Sequence, residues 1–171
     1  MIYVTSDLHF GHGNIIKLAN RPFLNLHEME KTLIENWNNK VKKHDTVYVL
    51  GDFSMKIKKD RIEEILKQLN GTIILIKGNH DNPKDIKISY DYLELCHNKF
   101  TFVMFHYPIA DWNGKYRDNY IHLHGHTHSS EKFSNLPYKR YNVSVEANNY
   151  TPILLDDIIK EFENEEISRH K

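Results

Sequence analysis

Apolar residues in this chain come in short runs, and five of those runs end at a polar motif rich in Asp, Asn or His. Ile2–Val4 leads to Asp7-Leu8-His9, Val47–Leu50 to Gly51-Asp52, and Ile73–Ile76 to Gly78-Asn79-His80-Asp81. Phe102–Phe105 leads into His106, and Ile121–Leu123 into Gly125-His126-Thr127-His128. Short β-branched and aromatic runs bounded by Gly and Asn predict strands, here Ile2–Ser6, Thr46–Leu50 and Thr72–Ile76 in the first half. Between them the period lengthens. Met29, Leu33, Trp37 and Val41 recur at every fourth position as one apolar stripe, and Asn25 followed by Glu28 is a capping-box-like start. A second helix is expected to open at Asp60 with Glu63, to turn Ile62, Ile65, Leu66 and Leu69 inward, and to end at Gly71. Strand–helix–strand–helix–strand is the pattern of parallel βαβ units.

After Ile76 strands outnumber helices. Tyr90–Leu95 and Phe100–Phe105 flank His97-Asn98-Lys99 and predict a hairpin. Further strands follow at Ile121–His124 and Tyr141–Val145, then a helix from Leu155 or Asp156 to about Glu163. Residues alone therefore predict an α/β fold in two halves. No repeat, linker or low-complexity stretch interrupts it, so a single domain over 1–171 is expected. In an open α/β sheet the loops at the carboxyl ends of the strands line one edge, where ligands bind. Five polar motifs at five strand ends can meet there, and Asp, Asn and His together suit a hard-to-borderline divalent cation.

The chain has 171 residues, the size of one sheet-centred core, with 23 basic and 23 acidic residues. The balanced charge supplies no net field toward nucleic acid or membrane. No apolar run is long enough to span a bilayer and no signal peptide is visible, so a cytoplasmic protein is the expectation. The single cysteine, Cys96, has no internal disulfide partner and reads as a small packing residue. Histidine is unusually abundant, at 12 residues. Of these, His27, His44, His97 and His170 read as solvated surface groups, and His122 and His124 as one face of a two-faced strand.

The ordered blocks Asp7-x-His9, Gly51-Asp52, Gly78-Asn79-His80-Asp81, His106 and Gly125-His126-Thr127-His128 resemble the calcineurin-like metallophosphoesterase superfamily. The resemblance spans most of the chain, and Gly-Asn-His-Asp followed by Gly-His-Thr-His is its most specific part. It implies two β-sheets packed face to face with helices outside, and two divalent transition-metal ions, Mn favoured, with Fe, Zn, Ni or Co as alternatives. One metal would be held by Asp7, His9, Asp52 and His128, the other by Asp52, Asn79, His106 and His126, with Asp52 shared. It also implies hydrolysis of a phosphate ester by a hydroxide bridging the metals. His80 would be the general acid and Asp81 the residue that orients it. Residues with an ordinary structural reading alongside a substrate-binding one are His12 and Asn14 in the loop after the first motif, Arg21, and Arg117.

Departures from the wider superfamily narrow the expectation. Protein phosphatases of the superfamily carry Gly-Asp-x-x-Asp-Arg-Gly, whereas here Gly51-Asp52 continues Phe53-Ser54-Met55-Lys56. Nuclease members usually add a capping domain, for which 171 residues leave no room. What remains resembles the small, cap-less bacterial and phage phosphoesterases. Phosphodiester hydrolysis on a small or nucleotide-like substrate leads, with a phosphomonoesterase or nuclease as alternatives and a metal-binding scaffold as the reading of another class. The alternation His122-x-His124-x-His126-x-His128 resembles the metallo-β-lactamase motif only superficially, because Ser129-Ser130 stands where Asp-His is needed.

Overall fold

Alternate residues of the first strand face two different cores. Tyr3 joins one cluster with Met29, Leu33, Trp37, Ile62 and Ile65, while Val4 joins another with Phe102, Met104, Ile121 and Leu123. This follows from the period of two in a strand. The computed structural model describes residues 1–133 and 138–169, and within it the first half forms β1 (Ile2–Thr5), α1 (Ile15–Leu18), α2 (Leu26–Lys40), β2 (Thr46–Leu50), α3 (Lys59–Leu66) and β3 (Thr72–Ile76). The second half forms β4 (Tyr92–His97), β5 (Phe100–Phe105), β6 (Tyr120–His124), β7 (Arg140–Asn142), β8 (Ile153–Leu154) and α4 (Leu155–Arg169).

Two four-stranded sheets result, with strand orders β3-β2-β1-β8 and β4-β5-β6-β7. β1, β2 and β3 are mutually parallel, as are β5, β6 and β7, while β8 and β4 are antiparallel edges. Tyr48, Leu50 and Ile76 of the first sheet meet Phe102, Met104, Ile121 and Leu123 of the second, and α4 adds Leu155, Ile158 and Phe162 to that inter-sheet core. Val47, Val49 and Leu75 turn the other way, under α2 and α3. Burying each such side chain stabilises by roughly 1.5–3 kcal/mol. Trp37, 1 % exposed, also donates its indole N–H to the Asn70 carbonyl at 2.9 Å, which ties α2 to the approach of β3. No helix among the described residues is long and apolar enough to cross a membrane.

The Asn25 cap is present: its side chain accepts from the Glu28 N–H at 2.9 Å, and Glu28 in turn accepts from the Leu24 N–H at 2.7 Å. Several boundaries differ from expectation. α3 starts at Lys59 rather than Asp60, with Lys58 at its cap and no side-chain capping bond. The hairpin strand is Tyr92–His97, two residues later than its pattern suggests, because Asn98 and Lys99 both take positive φ (47° and 69°) and close a two-residue turn. The strand expected over Tyr141–Val145 spans Arg140–Asn142 and passes into a 3-10 turn at Val145–Asn148. The short α1 and β8 carry too few residues for periodicity to reveal.

Cys96, expected to pack inside, is exposed on β4. His97 is not a free surface group, since its Nε2 lies 2.9 Å from the Asp156 carboxylate and so pins the hairpin to α4. His27 and His44 are exposed as expected, and His170 lies outside the described residues. His122 and His124 do alternate with the core-facing Ile121 and Leu123, and both are buried on the other face of the second sheet. There Trp112 stacks 5.0 Å from His122 and the Arg140 guanidinium sits 5.1 Å over Trp112. Burial lowers the His122 pKa to about 4.

A left-handed backbone at Lys99 costs a β-carbon-bearing residue about 1 kcal/mol that glycine does not incur. Lys99→Gly is therefore expected to raise stability by about 0.5–1 kcal/mol, read as a higher urea midpoint with an unchanged slope. A lowered midpoint would show that the turn gains nothing from glycine.

Candidate metal centre

The parallel directions of β1, β2, β3, β5 and β6 bring the five polar motifs to one edge of the sandwich. The loops continue the strand pairing beyond the strands themselves. Asp7 N donates to Gly51 O at 3.0 Å, His9 N to Asp52 O at 3.0 Å and Phe10 N to Phe53 O at 3.0 Å, which locks the first two motifs side by side. Ser6 N to Val143 O (3.1 Å) joins the loops of the two sheets at this edge, and Gly125 N to His106 O (2.9 Å) joins the loops after β5 and β6. Two glycines permit this closeness. A β-carbon on Gly78 would strike the Asp52 carboxylate, and one on Gly125 would strike the Ser6 hydroxyl and the Asp7 carboxylate.

Asp7, His9, Asp52, His126 and His128 all have positive φ, between 50° and 69°. Such conformations are costly for these residues and persist only where the surroundings over-determine them. They bend the five side chains toward a common centre. Donor atoms of Asp7, His9 and His128 lie within 4.8 Å of one another, and so do those of Asp7, Asp52 and His106. Asp52 Oδ2 is 3.5 Å from His9 Nε2, 3.6 Å from His106 Nε2 and 4.0 Å from His80 Nε2. The His9 and His106 separations are longer than hydrogen bonds and close to the roughly 3–3.5 Å between two ligands that share a cation when each bond is about 2.1 Å, while His80 stands further off. Asp7 is common to both groups, and Asp52 Oδ2 lies beside a histidine from each.

The ring nitrogens are set for coordination. His9 is 1 % exposed and neither ring nitrogen has a hydrogen-bond partner, while burial and the neighbouring His128, Arg21, His12 and His80 push its pKa down to about 2. A buried neutral imidazole with free lone pairs is the form that binds a metal. His106 Nδ1 lies 2.8 Å from the Leu50 carbonyl, which only accepts, so the neutral ring carries its proton there and turns the Nε2 lone pair inward. That lone pair faces Asn79 Oδ1 at 2.9 Å, two electron-rich atoms that a cation between them reconciles. His128 Nδ1 lies 2.8 Å from the Glu146 carboxylate, and its Nε2 faces Asp7 Oδ1 at 3.9 Å. A histidine whose outer nitrogen is held by a carbonyl or carboxylate is the usual arrangement of a metal ligand. Burial alone would depress the His128 pKa, but Glu146 and Asp7 raise it above the ordinary value. Burial raises Asp7 to about 6 despite His106 and His128. The residues present fit divalent-cation binding.

His126 lies 5.0 Å, ring to ring, from His106, and its backbone N–H donates to Asp7 Oδ2 at 2.9 Å. His80 sits at the open side, its side chain 36 % exposed, with its backbone N–H on Asp52 Oδ1 at 2.9 Å. His12 is buried beside His9 at 5.3 Å with Nδ1 unpartnered, and Asn14 is exposed at the start of α1.

Two expectations are corrected by the geometry. Asp81 does not address His80. Its carboxylate accepts the backbone N–H groups of Asp52 (2.8 Å), Phe53 (3.0 Å) and Gly78 (2.9 Å), so it braces the loops that carry Asp52 and Asn79. Arg21 is not a substrate contact. It is 4 % exposed, donates to the main-chain oxygens of Asp7 (2.6 Å) and Leu8 (3.1 Å), and pairs with Glu146 at 2.7 Å. Arg117 is exposed, its guanidinium 5.4 Å from the ring of Tyr120, the first residue of β6.

Sequence reading missed Ser6, Glu146 and Tyr107. Ser6 Oγ donates to Asp7 Oδ2 at 2.6 Å, Glu146 links His128 to Arg21, and the Tyr107 ring lies against His126. Glu146 left one trace, an acidic residue set between Val145 and Ala147, both buried. Burial raises its pKa, yet His128 and Arg21 hold it below the ordinary range.

Residues 1–170 match the model of the calcineurin-like phosphoesterase family. The chain belongs to that family. An uncharacterised protein of Methanocaldococcus jannaschii is 43 % identical over 98 % of this chain and 94 % of its own length. The gene 66 protein of Mycobacterium phage D29 is 29 % identical over 75 % of this chain and 78 % of its own. A crystal structure of a protein of unknown function from Aquifex aeolicus superposes with a TM-score of 0.73 at 29 % identity, covering 94 % of this chain and 98 % of that one. Family membership makes the chain a phosphoesterase of a metal-dependent family, and its buried Asp and His groups are the candidate ligands.

Asp81→Asn is expected to behave as a bracing variant: removing one acceptor loosens the Asp52 loop, and metal affinity falls by about 10–100-fold although Asp81 is not a ligand. Metal content after dialysis against a weak chelator checks this. Full metal retention with lost turnover would restore Asp81 to a direct role in the reaction.

Proposed function

We propose that this phosphoesterase hydrolyses phosphodiesters of small or nucleotide-like substrates. Asp7, His9, Asp52 and His128 would hold one divalent transition-metal ion, and Asp52, Asn79, His106 and His126 a second, with Mn favoured over Fe, Zn, Ni or Co. The observation that carries this reading is Asp52 Oδ2, which faces His9 and His106 at 3.5 and 3.6 Å from opposite motifs without a hydrogen bond to either. When bound, such a pair supplies Lewis-acid charge compensation and a hydroxide at neutral pH.

The chain's own residues divide the remaining work. Asp81, Glu146, Arg21 and Ser6 hold the ligands in place, so little reorganisation is left for the reaction. Asn79, a neutral ligand, keeps the site's negative charge down and eases the approach of an anion. His80, exposed beside Asp52, is placed to donate a proton to the departing alkoxide. His12, at the rim beside His9, is placed to contact the ester oxygens.

Preference for a diester is supported by where the arginines are. A phosphomonoester carries nearly two negative charges and is commonly clamped by a bidentate guanidinium. Arg21 is engaged beneath the loops by Glu146, and Arg117 lies over Tyr120. A singly charged diester suits that supply of positive charge better.

Three outcomes test the mechanism. Chelation should abolish turnover and added Mn should restore it; full activity after exhaustive metal removal would contradict the mechanism. Asp52→Asn should deplete both metals while His9→Ala chiefly depletes one, counted by mass spectrometry under native conditions, and two tightly held metals in the Asp52 variant would show the bridge to be misassigned. His80→Ala should keep its metals and lose turnover by about 10²–10⁴-fold on alkyl esters, with a smaller loss on nitrophenyl esters whose leaving group departs without a proton. Equal losses on both ester types would mean that His80 holds phosphate and protonates nothing.

A further inference from the structure

A row of aromatic rings leads away from the metal centre along the second sheet. Tyr107 follows His106 directly, and its ring centroid lies 4.5 Å from His126 and 4.9 Å from His106, both in edge-on contact. The Phe105 ring is 5.6 Å from Tyr107 on its other side, and Tyr92, paired with Phe105 across the hairpin, is 6.3 Å further along. Tyr107 is 37 % exposed and Tyr92 40 % exposed. The Tyr92 hydroxyl donates to Glu94 at 2.8 Å, whereas among the described residues no hydrogen bond engages the Tyr107 hydroxyl. Tyr107 is thus a partly exposed aromatic residue set directly beside two candidate metal ligands. With Arg21 and Arg117 both engaged elsewhere, aromatic surface is what this rim offers to the organic part of a substrate.

We propose that Tyr107, backed by Phe105, is the stacking surface for the nucleobase of a nucleoside phosphodiester whose phosphate lies at the metal centre. This rests on the phosphodiesterase reading above and names its substrate class. Flat π-faces stack on aromatic side chains whatever the base, so the surface selects for a nucleoside and not for one particular base. Because His126 and His106 hold the ring edge-on, it is oriented before the substrate arrives, and little side-chain freedom is lost on binding.

The test compares two methyl phosphodiesters with the same charge and leaving group, one of a nucleoside and one of the same ribose without a base. kcat/KM is measured for the Mn-loaded wild type, Tyr107→Ala and Tyr107→Phe. Alongside, calorimetry measures the binding of a nucleoside monophosphate and of ribose phosphate to the same three proteins. The wild type should prefer the nucleoside ester by about tenfold or more. Tyr107→Phe should keep most of that ratio and Tyr107→Ala should bring it near one, with the binding ratios following. A wild type without preference in either assay would overturn the proposal. So would an equal proportional loss on both ligands in Tyr107→Ala, which would make the ring a support for His126. Absence of turnover on every ester would overturn the phosphodiesterase reading instead, and the binding ratios would still decide whether Tyr107 stacks a base.

Discussion

Two buried carboxylates set the terms for the rest of this protein. The Asp7 side chain is fully buried and that of Asp52 only 2 % exposed, and their ligand atoms lie within 4.8 Å of each other. At an effective dielectric of about 20 their repulsion is roughly 3 kcal/mol, before the larger cost of removing each from water. Among the described residues no lysine or arginine pairs with either carboxylate; Arg21, the nearest cation, is turned to the main chain of Asp7 and to Glu146. Burial keeps the His9 imidazole neutral, with its pKa pushed down to about 2, and lowers that of His126 as well. The charge of these carboxylates and the unpartnered nitrogens of His9 suit a divalent cation, in keeping with a metal-dependent family.

The scaffold around the carboxylates is organised to withstand that frustration. Five residues of the centre adopt left-handed backbone, and each such residue costs about 1–2 kcal/mol. What holds them is continuous: the loops after β1 and β2 stay paired through Asp7–Gly51, His9–Asp52 and Phe10–Phe53, and Asp81 collects three N–H groups from the same loops. Glu146, in the 3-10 turn after β7, fixes His128 of the loop after β6 while holding Arg21 under the Asp7 loop. The two cores on either face of the first sheet then make these loops the edge of a rigid body, which is the condition for a centre whose geometry precedes its ligands.

Much of this was legible in the order of residues because strand period and motif placement are local properties. Val47–Leu50 had to be a strand, Asp52 had to follow its carboxyl end, and the same held at Asp7, Asn79, His106 and His126. Asn25 with Glu28 marked a helix start because the cap is made within four residues. What was not legible depends on contacts distant in the chain. Asp81 looked like a partner of its neighbour His80, yet it serves backbone from the loop after β2. Arg21 looked available to phosphate, but Glu146, 125 positions away, binds it. Tyr107 carried no motif of its own, and its position against His126 exists only once β5 and β6 are paired. The strand at Arg140–Asn142 ended early for a related reason: Ser6 N bonds to Val143 O and Val145 N to Ser6 O, so the chain leaves the second sheet to bridge to β1.

The most direct test of this account locates the cations themselves. Anomalous diffraction from crystals of the Mn-loaded protein should show two peaks roughly 3.5–4 Å apart. One should lie among Asp7, His9 and His128, the other among Asn79, His106 and His126, with the Asp52 carboxylate between them. A single peak, or two peaks away from Asp52, would contradict the central claim that these buried carboxylates exist to hold a metal pair.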